Sequence, residues 1–389
     1  MIERLRSSPV YYGWLGVLAV GIAWGLFAVS KTLIEGHGPL SNTTNLTAWG
    51  LGIALYVFLV LTTSGLTFVS SLYLVFGIET YRPIAKRAVF LAIVTLLVGL
   101  LMIALDLGQP FRAANLVLYQ NPSSAMWWMT VVYLVYFVLL VVKFWTLQTG
   151  REESTVGQVA GVGALLSAIA APSTLGAVFG FVIARQGYFG DLMPVYFLLT
   201  ALFSGFAAIM LSTLVTQALS GEGITSRMRD LMEEVGKHFS VVVGIVALFF
   251  VWRMLVGLYP GDDARGFGAF DHLATTFWWQ AEVWLALVVP LILLGVPALR
   301  RTSWALVLAP LSALVGLFLG RMELVLAGQY EPVLEAKWIT ELASYAPTFW
   351  EWSAVIFAGC LVLVLYTLGE RFIGLAAGPP TSAPTTTLE

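Results

Sequence analysis

The chain has 389 residues, of which 59% are hydrophobic and 11% charged, with a formal net charge of −2. A water-soluble globule does not need so apolar a composition, so lipid is the solvent for most of the chain. The near-neutral charge leaves no basic face for nucleic acid and no acidic tail for a cationic partner.

The residues from Met1 to Pro9 carry Arg4 and Arg6, but the apolar run behind them outlasts a signal-peptide core and shows no small-residue cleavage site, so a retained first helix is expected. Apolar stretches long enough to cross a hydrocarbon core of ~30 Å then recur along the chain. They fall at 12–34, 48–76, 86–106, 125–147, 156–184, 192–219, 239–259, 274–297, 303–327 and 350–373. Their continuous apolar character, without period-2 alternation, predicts an all-α polytopic membrane protein of ten transmembrane helices. The polar connection from Gly221 to Lys237 reads as a short surface helix, and the Pro/Thr-rich residues 378–389 as a disordered tail behind one transmembrane domain over 1–377. Gly157, Gly161, Gly163, Gly99 and Gly205 are candidates for close helix packing in lipid. Trp14, Trp49, Trp127, Trp278 and Trp350 lie near span ends, where they serve as interfacial anchors or as packing residues.

Placing the N-terminus inside puts Arg4, Arg6, Arg82, Lys86, Arg87, Lys143, Arg151, Arg227, Arg229, Lys237, Arg300, Arg301 and Arg371 on the cytoplasmic side. These are most of the 20 basic residues. The imbalance predicts N-in and C-in in the cytoplasmic (inner) membrane.

Ionisable groups are costly inside a membrane, so those near or within spans are the first functional candidates. On the outer side these are Lys31, Glu35, Asp106, Arg112, Arg185, Asp191, Arg253, Glu282, Arg321, Glu323 and Glu351. Within the cytoplasmic half of the spans there is little beyond Lys143 and His238, both of which can snorkel to the interface. A one-sided belt of acids and bases could bind and protonate a polar head group arriving from the bilayer. The alternative is structural pairing, for instance of Arg321 with Glu282 or of Arg112 with Asp106.

A membrane haem b is usually held between two intramembrane imidazoles, and the three histidines, His37, His238 and His272, fall in loops or at helix ends on both sides. No haem, iron–sulfur cluster or histidine-rich metal site is therefore expected in this chain. The single cysteine, Cys360, lies in an apolar run and reads as a packing residue. Nucleotide-binding and metalloprotease motifs are absent.

One stretch is more specific than hydropathy. After the third span the chain reads Asp106-Leu-Gly-Gln-Pro-Phe-Arg112-Ala-Ala-Asn115, followed by Tyr119-Gln-Asn121-Pro-Ser-Ser124. This resembles the D-L-G-R-P-x-R motif and the N-P-x-S-x-M segment of the NrfD/PsrC family, the polysulfide-reductase-type, quinone-interacting membrane subunits of respiratory oxidoreductases. Asn45-Leu-Thr-Ala-Trp49-Gly50, Pro194-Val-Tyr-Phe with Ser204-Gly205, Arg321-Met-Glu-Leu-Val-Leu-Ala-Gly328-Gln329 and Tyr345-Ala-Pro-Thr-Phe-Trp-Glu351-Trp follow in the family's order. Ten spans point to a longer branch, similar to the membrane subunits of hydrogenase-2 and of sulfite-reduction complexes. The chain departs from the pattern at Gln109, which stands where the family usually has arginine.

The resemblance implies a subunit that binds menaquinone or another quinone near the outer face. It would exchange electrons with a docked ferredoxin-like iron–sulfur subunit and further redox subunits, and it would not be catalytic alone. Asp106 is then the candidate for proton exchange with the quinone, an acid at the membrane rim tuned between burial and the neighbouring Arg112. Arg112, Asn115, Arg253, Glu282 and Arg321 are candidates for quinone contacts or acid–base support. A secondary transporter would instead require inverted repeats with interrupted midplane helices, for which only Pro172 and Pro290 leave room. A purely structural anchor is a third reading.

Overall fold

The computed structural model describes residues 9–36, 38–107, 110–182, 185, 187–188, 190–219, 225–258, 269–330 and 343–375. Ten of its helices are long and apolar enough to span a membrane. They are α1 (Pro9–Glu35), α2 (Leu51–Leu74), α3 (Arg82–Asp106), α4 (Ala125–Gln148), α5 (Thr155–Gly180), α6 (Met193–Leu219), α7 (Ser226–Leu258), α8 (Phe277–Gly295), α9 (Ser303–Ala327) and α10 (Phe349–Phe372). No strand occurs among the described residues. Helices prevail because each satisfies its backbone hydrogen bonds internally, which lipid cannot do for it. The 378–389 segment, His37 and Gln109 lie outside the described residues.

Local chemistry sets where helices start and stop. Ser154 caps α5 by accepting from Gly157 N, and Thr348 caps α10 in a reciprocal box with Glu351. At the end of α4, Gly150 takes a φ of +67°, which lets Arg151 N return to the Thr146 carbonyl at 2.8 Å.

Helix α2 is the central pillar, buried over most of its length and packed against α3, α5, α6, α9 and α10. Its crossing with α6 is a backbone-to-backbone contact. A Cβ on Gly205 would lie 2.0 Å from the Gly65 carbonyl carbon, and one on Gly65 would lie 1.8 Å from the Ala201 oxygen. Gly205 was legible as a packing residue; Gly65, its counterpart, was not. Helix α1 packs along α10, where Gly21 and Gly25 admit Cys360 and Phe357. The Trp14 and Trp24 indoles clasp Thr367 and Ser353 of α10 at 3.2 and 3.1 Å. Elsewhere the outer faces present large apolar side chains such as Val17, Val20, Leu248 and Trp252, as lipid contact requires.

Two expectations need correction. The surface helix expected within 221–237 is, from Ser226 onward, the first third of α7, which continues unbroken to Leu258. Nothing between these residues stops a helix, and the face with Met232, Val235 and Phe239 is buried while Arg227, Arg229 and Glu234 stay in reach of water. The scarcity of charge expected in the half of the bundle away from Asp106 is also incomplete. At the end opposite Asp106, Arg87 and Glu370 form a buried ion pair at 2.6 Å, with Tyr366 donating to Glu370 at 2.8 Å. Lys143 does not snorkel: it is 2% exposed and donates to the Gly157 carbonyl at 3.0 Å.

Candidate functional site

Alternation of the ten helices brings Asp106, Arg112, Arg253, Glu282, Arg321, Glu323 and Glu351 to one end of the bundle, here called the Asp106 end. They do not form one site. The structure divides them into a cavity beside α2, a buried polar cluster among α6–α9, and an exposed connection after α3.

The cavity has a volume of about 210 Å³ and lies between α1, α2, α3, α10 and the connection ahead of α2. Its walls are mostly apolar, among them Val29, Leu55, Met102, Trp350 and Val355. Its polar groups are Thr32, Ser41, Thr43, Asp106 and Glu351. Such a composition, an apolar slot with a few convergent polar groups, suits a flat, mainly hydrophobic ligand carrying polar atoms at its edge. Asp106 is the last residue of α3, and its carboxylate lies against the first turn of α2, where a Cβ on Gly52 would be 2.1 Å from Oδ1. Only the missing side chain leaves room for that approach.

The motif residues of this end hold one another. Gln329 donates to the Trp49 carbonyl and accepts from Trp49 N, both at 2.8 Å. The Trp49 indole stacks on Tyr188, whose hydroxyl donates to the Val325 carbonyl, while Arg185 donates to the Gly328 carbonyl at 2.9 Å. The Tyr345 hydroxyl accepts from Leu51 N at 3.0 Å and donates to Glu351 Oε1 at 2.5 Å. Burial, and then the adjacent Glu351, push the Tyr345 phenol well above its ordinary range, so it stays protonated and a donor. These contacts tie the ends of α2, α9 and α10 together at the Asp106 end, with Leu51 and Glu351 of the network lining the cavity.

The second group lies deeper. Arg253 of α7 and Glu323 of α9 form a two-bonded ion pair, at 3.1 and 3.2 Å, with Glu323 fully enclosed. Glu282 of α8 is 2% exposed and accepts from the Tyr196 hydroxyl at 2.9 Å, while its Oε2 has no partner. Arg321 is 1% exposed; its guanidinium lies 5.5 Å from the Phe197 ring and 6.0 Å from that of Tyr196, and its Nε and Nη2 make no hydrogen bond. The Arg321–Glu282 pair given as an example of the alternative, structural reading is not made; Arg253 pairs with Glu323 instead. Glu282 opens a π-helical turn, Glu282–Val288, inside α8. Gly316 and Gly320 of α9 admit that wider turn: a Cβ on Gly320 would be 2.5 Å from the Glu282 carboxyl carbon.

Arg112 and Asn115 are in neither group. Both are exposed on the short helical turns Pro110–Ala114 and Asn115–Leu118, beside Phe111, Leu118 and Tyr119, which are 96%, 71% and 76% exposed. Sequence reasoning did not single out Tyr196, Tyr345 or Gln329 as site residues, although each lies in a quoted motif. Glu370 was missed outright, and its signal was an acid within an apolar span.

Comparison with known proteins agrees with this architecture. The model of the family described as polysulphide reductase, NrfD, matches residues 39–333. The C subunit of the selenate reductase of Mesobacillus selenatarsenatis is 26% identical, over 94% of both chains. The Hdr-like menaquinol oxidoreductase integral membrane subunit of Archaeoglobus fulgidus is 26% identical over 95% of this chain and 94% of its own. The menaquinone reductase integral membrane subunit of Nitratidesulfovibrio vulgaris is 24% identical over 95% of this chain and 93% of its own. With ten membrane-spanning helices and a family match over most of its length, the chain belongs to the NrfD family of polytopic membrane proteins.

Proposed function

We propose that this protein is the quinone-interacting membrane subunit of a respiratory oxidoreductase complex, with the cavity beside Asp106 as its quinone site. The observation that carries the reading is the cavity itself: an apolar slot at the membrane rim, closed on one side by a carboxylate seated on bare helix backbone. The relatives named for menaquinol and menaquinone chemistry support the choice of ligand. Quinone is the substrate here, and the apolar walls would take its ring and the first units of its tail.

Asp106 exchanges a proton with a ring oxygen, and the electrons pass to or from an iron–sulfur subunit docked at the Asp106 end. The exposed turns with Phe111, Arg112, Asn115, Leu118 and Tyr119 are the surface offered to that subunit. Arg253, Glu282 and Arg321 act behind the site as a buried reserve of charge, and the N-in, C-in orientation places the site at the outer face.

The test is Asp106→Asn in the intact complex, assayed for quinol-linked electron transfer and for quinone extracted from the purified protein. A loss of turnover of about 100-fold with assembly and bound quinone retained is expected for a proton-exchanging group. Undiminished turnover removes Asp106 from the chemistry, and a purified complex without quinone removes the reading as a whole.

A further inference from the structure

The cavity holds a second carboxylate whose hydrogen bonds exceed what helix capping needs. Glu351 caps α10 through Oε2, which accepts from Thr348 N at 2.8 Å, and through its own backbone N–H, which donates to Thr348 Oγ1 at 3.2 Å. That box is complete without Oε1. Oε1 is turned instead toward the start of α2, where it accepts from Tyr345 at 2.5 Å, and the tyrosine oxygen in turn accepts from Leu51 N at 3.0 Å.

The two glycines that flank Leu51 make this arrangement possible. A Cβ on Gly50 would stand 2.5 Å from the Tyr345 oxygen and 3.1 Å from Glu351 Oε1, and a Cβ on Gly52 would stand 2.1 Å from Asp106 Oδ1. Both carboxylates therefore rest on side-chain-free backbone at the same helix start, and both line the same cavity.

We propose that Glu351 is the second proton-exchange residue of the quinone cavity, with Tyr345 as its positioning residue, so that the substrate ring lies between two carboxylates. The inference rests on the quinone reading of the cavity. A quinol releases two protons and two electrons when it is oxidised. One proton passes from each ring hydroxyl to a carboxylate, Asp106 taking one and Glu351 the other, while the two electrons leave singly to the iron–sulfur centre of the docked subunit. Quinone reduction runs the same transfers in reverse, each carboxylic acid giving up its proton as electrons arrive. Two separate acceptors fit a flat ring whose two oxygens lie on opposite edges.

The Tyr345 hydroxyl, donating at 2.5 Å, holds Glu351 Oε1 toward the start of α2. The other ionisable groups around it are Asp106 on α3 and, on α1, Lys31, which lies 4.5 Å from the Trp350 ring and pairs with Glu35 at 3.7 Å. Helix α2 contributes no charged side chain at this end.

The experiment uses the intact complex with Glu351→Gln, Glu351→Asp, Tyr345→Phe and Ala354→Trp. Each is read for quinone content, turnover against pH, and the carboxylic-acid C=O bands in redox-difference infrared spectra. Glu351→Gln is expected to keep its quinone, to lose turnover by about 100-fold, and to delete one carboxyl band while Asp106→Asn deletes another; Glu351→Asp restores part of the turnover. Tyr345→Phe is expected to keep its quinone, to lower turnover and to shift one carboxylic-acid band, because Oε1 loses the hydroxyl that positions it. Normal turnover with unchanged bands in Glu351→Gln overturns the proposal and leaves Glu351 a cap. Should Glu351→Gln fail to assemble, the infrared spectrum of Tyr345→Phe decides, and carboxylic-acid bands unshifted from those of the unsubstituted complex overturn it. Ala354→Trp fills the cavity: retained quinone and turnover there sink the quinone reading of the cavity and this proposal with it, whereas lost quinone beside a fully active Glu351→Gln sinks this proposal alone.

Discussion

The charged side chains of the inner cluster are worth more as a set than singly. Arg253 and Glu323 pair through two hydrogen bonds in a nearly water-free setting, so removing one partner strands the other. Glu323→Gln is expected to destabilise the protein by about 3–5 kcal/mol, whereas the double replacement Arg253→Met with Glu323→Leu recovers most of that loss. Thermal unfolding of the detergent-purified protein reads both, and a double variant no better than the single one refutes a paired role. These residues were recognisable in the sequence because charge within an apolar span stands out. Their partners were not, since Arg253 and Glu323 are 70 positions apart and only the packing of α7 on α9 joins them. Tyr196 and Tyr345 were harder still: tyrosine is common in membrane helices and near their ends, and its sequence does not say whether its hydroxyl meets Glu282, Glu351 or lipid headgroups.

At the level of helices, the ten spans were legible almost to their ends because length and apolar continuity are local properties. The two departures came where a helix behaves non-locally. Helix α7 begins a dozen residues ahead of its apolar run with an amphipathic first third, and α8 carries a π-turn at Glu282 that the sequence gives no cue for beyond the glycines facing it from α9. The crossing of α2 with α6 depends on Gly65 and Gly205 approaching through bare backbone. Gly205→Val is expected to abolish recovery of a monodisperse protein in size-exclusion chromatography, because its nearest obstacle is backbone and cannot turn aside; the cost exceeds the ~1–3 kcal/mol usual for overpacking. Gly244→Ala, in α7 with nothing within 4 Å of its added carbon, is expected to leave recovery unchanged or improved. Equal recovery of the two variants contradicts the close crossing.

For the molecule as a whole, the orientation proposed from basic residues has a direct test. With Cys360 replaced by alanine, Gln120→Cys at the Asp106 end should react with a membrane-impermeant thiol reagent in intact cells. Glu153→Cys, exposed at the opposite end, should react only after permeabilisation. The reverse pattern would turn the protein over and place the cavity at the cytoplasmic face.

The amino-acid sequence by itself determined that this is a ten-helix membrane protein, which residues are charged within it, and, through motifs in order, which family it belongs to. Each of these depends on near neighbours in the chain or on their order. The tertiary structure alone decided which of those charges meet. It separated Asp106 from Arg253, Glu282 and Arg321, joined Arg87 to Glu370, and brought Glu351 and Asp106 to the lining of one cavity. Such partnerships arise from helix rotation and the close approach of distant glycines, and lipid, being equally apolar on every side, gives a sequence pattern little with which to announce them.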